Sequence, residues 1–168
     1  SDLIKADLPS QFDGLKLAAS EVGAKQIQNV GTIAGNLCNA SPAADGVPPL
    51  LILDAKVELT SKTAIRLVAL EDFIQGNRLT EIRPDELLTA VIVPKKMDGA
   101  TSHFQKLGSR SYLVISIVMV ASLLDVDEAG IIKAARISVG ACSVVAKRLY
   151  ALETALIGTR IEDINFQI

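Results

Sequence analysis

The 168-residue sequence predicts an α+β fold, in which antiparallel strands and several helices mix without a regular alternation. Two observations support this class. Apolar and polar residues alternate strictly over Lys56–Thr60, a pattern typical of a strand with one exposed face. Farther along, residues 112–126 and 131–141 are rich in Val and Ile and enclose a Gly-containing turn. That arrangement predicts a long antiparallel hairpin.

The first elements are helical or irregular. Residues 13–23 predict a short helix that Asp13 caps and Gly23 ends. Its apolar stripe consists of Leu15, Ala18, Ala19 and Val22. A loop rich in Gly and Asn is expected next, before the Pro48-Pro49 pair and an apolar run that leads into the first strand.

The middle of the chain predicts strands separated by short turns. Residues 65–70 indicate a second strand, and residues 71–75 a single helical turn. Residues 83–86 indicate a turn, and residues 87–93 a third strand that Pro94 ends.

The loop at residues 95–100 is the expected domain boundary. We predict one domain over residues 1–98 and a second over residues 99–168. The second domain begins with a strand at residues 102–107 and continues with the long hairpin. It then contains an amphipathic helix at residues 144–156, with Gly158 beyond its end.

Composition excludes several classes of protein. Hydrophobic residues make up 49% of the chain and charged residues 21%, which is typical of a folded domain. The net charge of −2 argues against a general binder of polyanions. Two Cys and one His are too few for most zinc, haem or iron–sulfur sites, and Cys38 and Cys142 are expected to be free thiols of a cytoplasmic protein.

No segment predicts secretion or membrane insertion. Residues 1–10 carry three charges and lack an apolar core. The apolar run at residues 113–124 is too short to span a bilayer and predicts a buried strand.

The usual catalytic and nucleotide-binding motifs are absent. The sequence has no GxGxxG, no P-loop and no GxSxG. His103 lies in an alternating strand, which favours a surface or packing role. Asp85 and Glu86 are adjacent on a turn and are expected to point apart into solvent. We therefore predict no catalytic residue and no metal ligand.

Residues 26–55 are the most informative segment. They hold three Asn, two Gln and three Gly but no Lys or Arg. Gly permits close backbone approach, and amides and hydroxyls supply neutral hydrogen bonds. This composition is typical of a surface that holds a polar cofactor. Taken alone, it also fits a loop in which Gly, Asn and Ser simply form turns.

Three ordered motifs resemble one known family. QIQNVGTIAGNLCNASPAAD, at residues 26–45, resembles the FAD-binding (medium) subunit of the molybdenum hydroxylases, the family of xanthine dehydrogenase and carbon monoxide dehydrogenase. Phe104, Lys106 and Arg110 form an F-x-K-x-x-x-R block similar to that of the family's C-terminal domain. The segment ARISVGAC at residues 135–142, followed by Lys-Arg-Leu at residues 147–149, is similar to a third block.

The resemblance implies an electron-transfer module. Residues 1–98 would be the second FAD-binding subdomain, and residues 99–168 a truncated flavoprotein C-terminal domain of the CO dehydrogenase type. Electrons would pass from [2Fe–2S] clusters through FAD to NAD or another acceptor. The clusters would lie on a small partner subunit, and the molybdopterin, where the organic substrate is oxidised, on a large one.

The resemblance also implies which residues bind FAD. The matching positions are Thr32, Gly35, Asn36, Asn39, Ser41, Asp45, Leu87, Leu88 and Lys106. Gly35 would allow backbone approach, and the hydroxyls and amides of the set would hydrogen-bond the cofactor. Leu87 and Leu88 would form an apolar wall beside the isoalloxazine ring. Lys106 would favour the reduced, anionic flavin through its positive charge.

The chain departs from the family pattern in several ways. Ala34 replaces a Gly and should resist positive φ, Gln28 replaces an Arg, and Val144 replaces a Pro. No counterpart of the family's first subdomain, whose Gly-rich loop holds the diphosphate, precedes Ser1. The resemblance thus implies a fragment that is inactive and binds FAD weakly or not at all by itself. The alternative is a non-catalytic assembly module that has lost flavin.

Overall fold

The computed structural model of the protein describes residues 2–94, 97, 99–111 and 113–164. Its helices are α1 (Asp2–Lys5), α2 (Asp13–Glu21), α3 (Lys25–Val30), α4 (Ile33–Asn39), α5 (Val47–Ile52), α6 (Leu70–Phe73) and α7 (Tyr150–Leu156). Two 3₁₀ turns cover Ser10–Phe12 and Ile161–Asp163. The strands are β1 (Lys56–Thr60), β2 (Ile65–Ala69), β3 (Ile74–Gly76), β4 (Leu79–Thr80), β5 (Leu87–Ile92), β6 (Thr101–Leu107), β7 (Val118–Val126), β8 (Ile132–Gly140) and β9 (Lys147–Arg148).

Every strand pairing in the described residues is antiparallel, which confirms the predicted α+β class. Strands β2, β1 and β5 form a three-stranded sheet with β1 in the centre. Strands β3 and β4 form a small hairpin. Strands β6, β7, β8 and β9 form a four-stranded sheet in that order.

The predicted long hairpin is present as β7 and β8. Its register runs from the Met119–Gly140 pair to the Val126–Ile132 pair. At the turn, the Asp127 carboxylate accepts hydrogen bonds from the N–H groups of Ala129 and Ile131, each at 2.9 Å. The turn glycine has a φ of 79°, which an L-residue adopts only with strain.

Helix α5 lies at the centre of the core, and all of its residues are buried. The two prolines at its start occupy positions where no intrahelical donor is needed. Across from them, Gly140 of β8 fits closely, since a Cβ there would lie 2.6 Å from Met119 Cε and 3.0 Å from Pro48 Cγ. The sheet β6–β9 therefore packs directly on α5.

Two arginines of the four-stranded sheet β6–β9 bind the C-terminal end of α5. Arg148 Nη1 donates to the Leu51 carbonyl at 3.2 Å, and Arg136 Nη1 donates to the Ile52 carbonyl at 3.1 Å. Both guanidinium groups also pair with the Asp54 carboxylate at 2.7 Å. We call these three charged residues, Arg136, Arg148 and Asp54, the α5 clamp.

Glu153 of α7 fixes Arg148 within the clamp. Its carboxylate binds the guanidinium in a two-point pair at 2.6 Å and accepts the Ile137 N–H at 2.8 Å. Burial opposes ionisation, but the hydrogen bonds from Arg148 and Ile137 outweigh it and lower the pKa of Glu153. The carboxylate thus stays charged in the buried pair.

The structure corrects two predictions in the first half of the chain. Asp13 is the first residue of α2 and not its cap; Phe12 occupies the N-cap position and makes no side-chain cap bond. The predicted Gly- and Asn-rich loop contains helices α3 and α4. Helix α2 nonetheless ends before Gly23, as predicted, and that glycine has a φ of 54°.

Two further boundaries differ in the second half. Strand β7 begins at Val118 and not at residue 112, because Leu113 adopts a φ of 50° and the Ser116 side chain turns toward Asp45. Tyr112 itself lies outside the described residues. Helix α7 begins at Tyr150 and not at residue 144, because β9 pairs with β8 and the Leu149 N–H bonds to the Ile137 carbonyl at 2.9 Å.

Both cysteines are free thiols, as predicted. No helix in the described part of the chain combines the length and apolar character needed to cross a membrane. The expected domain boundary falls on residues 95–100, of which 95, 96 and 98 lie outside the described residues.

Glu86 corrects the prediction of a solvated turn. Its side chain is only 5% exposed and pairs with Arg66, Nε to Oε1, at 2.7 Å. The hydrogen bond from Arg66 lowers the pKa of Glu86 from its usual 4.5 to about 2; burial opposes this shift, and the Arg83 N–H assists it. Asp85 is exposed, so the two carboxylates do not form an acid–base pair.

The Glu86 pair predicts a pH-dependent stability. Because the folded pKa is lowered, the contribution is complete above pH 4.5 and declines as the pH falls toward about 2. We expect the difference in urea midpoint between the wild type and Glu86→Gln to narrow over this window. Arg66→Gln should remove the same dependence. An equal acid sensitivity in wild type and both variants would contradict the assignment.

Candidate functional site

A cavity of about 510 Å³ lies between helices α1, α2, α3 and α4. Its lining residues are Leu3, Ile4, Leu15, Ala19, Val22, Ile27, Gln28, Val30, Gly31, Thr32, Ile33, Gly35, Asn36, Asn39 and Gly46. None of them carries a charge. The lining is apolar along α1 and α2 and polar along α4, which suits a ligand with a ring system and hydroxyl groups.

Thr32 organises the start of α4. Its hydroxyl accepts the Gly35 N–H at 2.9 Å, and its carbonyl accepts the Asn36 N–H at 3.0 Å. A hydroxyl that accepts one bond still has its own proton to donate. Ala34 lies within this helix, where alanine is favoured, so its replacement of Gly requires no positive φ.

Asn36 presents the polar atom that a ligand would complement. Its Oδ1 is buried and has no donor among the described residues. The backbone at Gly46 approaches closely, since a Cβ there would lie 2.8 Å from this oxygen. A buried amide oxygen without a donor costs about 1–3 kcal/mol. A ligand hydroxyl in this place would relieve that cost, so the residues present fit a polar cofactor.

Asn39 closes the cavity at the C-terminal end of α4. Its Oδ1 accepts a hydrogen bond from the Arg78 guanidinium. Arg78 lies in the hairpin between β3 and β4, and its N–H donates to the Ala40 carbonyl at 2.9 Å. The hairpin is thereby fastened to α4.

Asp45 and Lys106 form a second group outside this cavity. Lys106 Nζ lies 3.1 Å from Asp45 Oδ2, and Ser116 Oγ donates to Asp45 Oδ1 at 2.9 Å. The Lys106 side chain is only 7% exposed and the Asp45 side chain only 11% exposed. Lys106 also lines a cavity of about 190 Å³ together with Phe104 and Arg110, so the F-x-K-x-x-x-R residues meet in space.

The remaining predicted positions lie apart. Leu87 is 72% exposed on β5, which packs against α4, and Leu88 is half-buried against the core. Ser41 Oγ accepts the Ala43 N–H at 3.3 Å within a turn. The structure therefore brings Thr32, Gly35, Asn36 and Asn39 together in one cavity and leaves the other five positions outside its lining.

Sequence reasoning missed two polar residues of the site. Gln28 lines the cavity, and its amide donates to the carbonyls of Ser20 at 2.9 Å and Gly23 at 3.4 Å, which holds α3 to the end of α2. Arg78 reaches Asn39 across 39 residues of sequence, and no local spacing indicated that contact. The signal that could have indicated Gln28 is its position in the polar segment that precedes α4.

Comparisons with known proteins agree with this geometry. A sequence model described as the FAD binding domain in molybdopterin dehydrogenase matches residues 1–96, and one described as the CO dehydrogenase flavoprotein C-terminal domain matches residues 102–167. The chain is 40% identical over 125 residues to the nicotinate dehydrogenase FAD-subunit of Eubacterium barkeri, covering 73% of this chain and 42% of that protein.

Two further relatives are CO dehydrogenases. The medium chain from Afipia carboxidovorans is 32% identical, over 96% of this chain and 54% of its own length. The structure of reconstituted CO dehydrogenase from Oligotropha carboxidovorans matches with a TM-score of 0.85 and 28% identity, over 94% of this chain and 55% of that one. The chain spans about half the length of the curated relatives it matches.

The fold and the family matches thus define a flavin-binding class of domain. Because the first family model matches more than half of its residues, the chain belongs to the FAD binding domain family of the molybdopterin dehydrogenases. The predicted family, the α+β architecture and FAD as the family's cofactor are confirmed.

The Asp45–Lys106 pair predicts a large effect on stability. Asp45→Ala removes the nearer of two carboxylates from a buried ammonium and leaves Glu21 Oε2 at 3.9 Å, so we expect the free energy of unfolding to fall by about 1.5–3 kcal/mol. The double variant Asp45→Ala with Lys106→Met removes both charges and should recover most of this loss. Urea denaturation measures the effect, and a loss below about 1 kcal/mol in the single variant would show that the pair is solvated.

Proposed function

We propose that the chain is part of the FAD-binding electron-transfer component of a molybdenum hydroxylase. The observation that carries the proposal is the uncharged cavity at α3 and α4, which contains the Gly- and amide-rich segment of a chain from an FAD-binding family. In this role the protein passes electrons from [2Fe–2S] clusters through FAD to NAD or another acceptor.

Bound FAD would supply the redox chemistry, since its ring accepts and releases electrons. The chain's own residues bind and orient it. In this proposal Asn36 supplies an amide to a cofactor hydroxyl, Thr32 donates its hydroxyl proton, and Gly35 leaves room beside the backbone. No side chain acts as a nucleophile or as a general acid.

The predicted residues that do not line the 510 Å³ cavity take supporting roles in the proposal. They are Ser41, Asp45, Leu87, Leu88 and Lys106. Leu87 and Leu88 offer an apolar surface that a flavin ring would cover, and Ser41 offers a hydroxyl. Lys106 shares its charge with Asp45 at 3.1 Å, so the two together act on the flavin as a nearly neutral pair. The pair therefore affects the reduced flavin less than an isolated ammonium would.

The proposed partners are a large subunit that holds molybdopterin and a small subunit that holds two [2Fe–2S] clusters. Relatives named as a medium chain and as the alpha subunit of a dehydrogenase complex support an assembly of this kind. The alternative of a flavin-free assembly module relied partly on Ala34. That residue lies inside α4 and needs no positive φ, so it does not weigh against FAD.

Expression of the full natural reading frame tests the proposal. We expect a yellow protein with the visible spectrum of a bound flavin, and co-purification with a molybdopterin-containing and a two-cluster subunit. A colourless protein that takes up no added FAD would refute the function and support the assembly module.

Two substitutions in α4 predict a loss of cofactor. Gly35→Val places a Cβ 3.0 Å from Thr32 Oγ1 and closes the approach to the backbone, so FAD affinity should fall about tenfold or more. Asn36→Ala removes one hydrogen bond and should weaken binding about threefold to tenfold. FAD content of the purified full-length protein is the measurement.

Cys38→Ala is the matched control, because Cys38 lies on the same helix but does not line the cavity. Its FAD content should equal that of the wild type. Full occupancy in both the Gly35 and Asn36 variants would contradict the role assigned to α4.

A further inference from the structure

Helix α3 forms one wall of the 510 Å³ cavity but has no packed face of its own. None of its residues, Lys25–Val30, is buried, and in the described part of the chain it packs extensively on no other helix or strand. Its apolar side chains Ile27 and Val30 line the cavity, although Ile27 is 52% exposed and Val30 is 77% exposed. A six-residue helix of this kind is not stable in isolation. Its position therefore depends on specific contacts.

Gln28 supplies such a contact. Its side-chain amide donates to the carbonyls of Ser20 at 2.9 Å and Gly23 at 3.4 Å, at the C-terminal end of α2. Ser20 belongs to the last turn of α2, where carbonyls lack intrahelical donors, so this amide satisfies an acceptor that would otherwise bond to water. Helix α2 itself packs on β6 and α5. Gln28 thus joins the weakly packed wall of the cavity to a well-packed helix.

Opening of α3 would change the cavity directly. A helix with few buried apolar contacts opens locally at a low cost in free energy. An open α3 would withdraw Ile27 and Val30 from a ligand, and the ligand would then have to restore the order of the helix when it binds. The bond from Gln28 to α2 opposes this opening before any ligand is present.

We propose that Gln28 is a positioning residue for FAD, because it holds α3 closed against the cavity. The proposal rests on the proposed function, since it takes FAD as the ligand of this cavity. Gln28 acts through α3 and α2. It thereby sets how much of the cavity wall is already in place when the cofactor arrives.

The test uses the full natural reading frame stripped of its flavin, in the wild type, Gln28→Met and Gln28→Arg. Methionine keeps the length and neutrality of the side chain but cannot donate, whereas arginine keeps N–H donors for the two carbonyls. We expect Gln28→Met to weaken FAD binding about threefold to tenfold, through the loss of the two hydrogen bonds to α2. The dissociation constant of FAD is the first measurement.

Hydrogen exchange of α3 is the second measurement, because it reports the opening of the helix without any ligand. The amide protons of Gln28 and Gly31 bond to the carbonyls of Ala24 at 3.1 Å and Ile27 at 2.7 Å. In flavin-free protein these amides should exchange about threefold to tenfold faster in Gln28→Met than in the wild type, after correction for intrinsic rates. Gln28→Arg should exchange at close to the wild-type rate. The urea midpoint should be the same in all three proteins.

Gln26→Met is the matched control, because Gln26 lies on the same helix, is exposed and does not line the cavity. It should equal the wild type in FAD affinity and in exchange. Unchanged FAD affinity in Gln28→Met would overturn the proposal, and so would equal losses in both methionine variants. Weaker FAD binding without faster exchange of α3 would overturn it too, because Gln28 would then act on the cofactor directly.

Two other outcomes are also decisive. A lowered urea midpoint in Gln28→Met would overturn the proposal and assign Gln28 to the stability of the whole fold. Failure of the wild type itself to bind FAD would instead refute the proposed function, and the role of Gln28 in cofactor binding with it.

Discussion

The structure depends on the complete burial of helix α5. Its six residues, Val47–Ile52, have no exposed face, and the helix packs on α2, β7 and β8. A helix this short is not stable in isolation, so its conformation comes from the packing around it. Because the polar segment that lines the cavity ends where α5 begins, the position of α5 also determines where Asn36 and Gly46 meet. The geometry of the candidate site therefore depends on the packing of the core.

The α5 clamp explains why charged residues of the last motif are needed in an apolar core. The final carbonyls of a helix lack intrahelical donors, and Arg136 and Arg148 satisfy two of them while complementing the negative end of the helix dipole. The Asp54 carboxylate pairs with both guanidinium groups, and the Glu153 carboxylate pairs with Arg148. The two carboxylates together balance the positive charge of the two arginines. Both arginines belong to the third motif, so that motif stabilises the helix next to the cavity from a separate sheet.

The sequence predicted elements whose signal is local. Alternation identified β1, and the β-branched hairpin identified β7 and β8, because in both cases one face of the strand packs on the core. The wrong predictions concern segments whose secondary structure is determined by tertiary contacts. Residues 26–39 have turn-forming composition but fold as α3 and α4, since packing and the Thr32 cap outweigh weak propensities. Residues 147–149 belong to a segment with helical periodicity, yet their bonds to β8 hold them extended.

The residues of the candidate site also fall into those that a local motif indicates and those that only the fold brings together. Thr32, Gly35, Asn36 and Asn39 share one short helix, so a single motif could indicate all four. Contacts between distant segments follow from topology, which spacing does not encode. Lys106 meets Asp45 only because β6 lies beside the segment before α5, and Arg78 meets Asn39 only because the β3–β4 hairpin folds back onto α4. A motif search thus finds the neutral hydrogen-bonding groups of the candidate site, because they lie in one segment. The contacts of Arg78 and Lys106 join segments that are distant in sequence, and the fold alone reveals them.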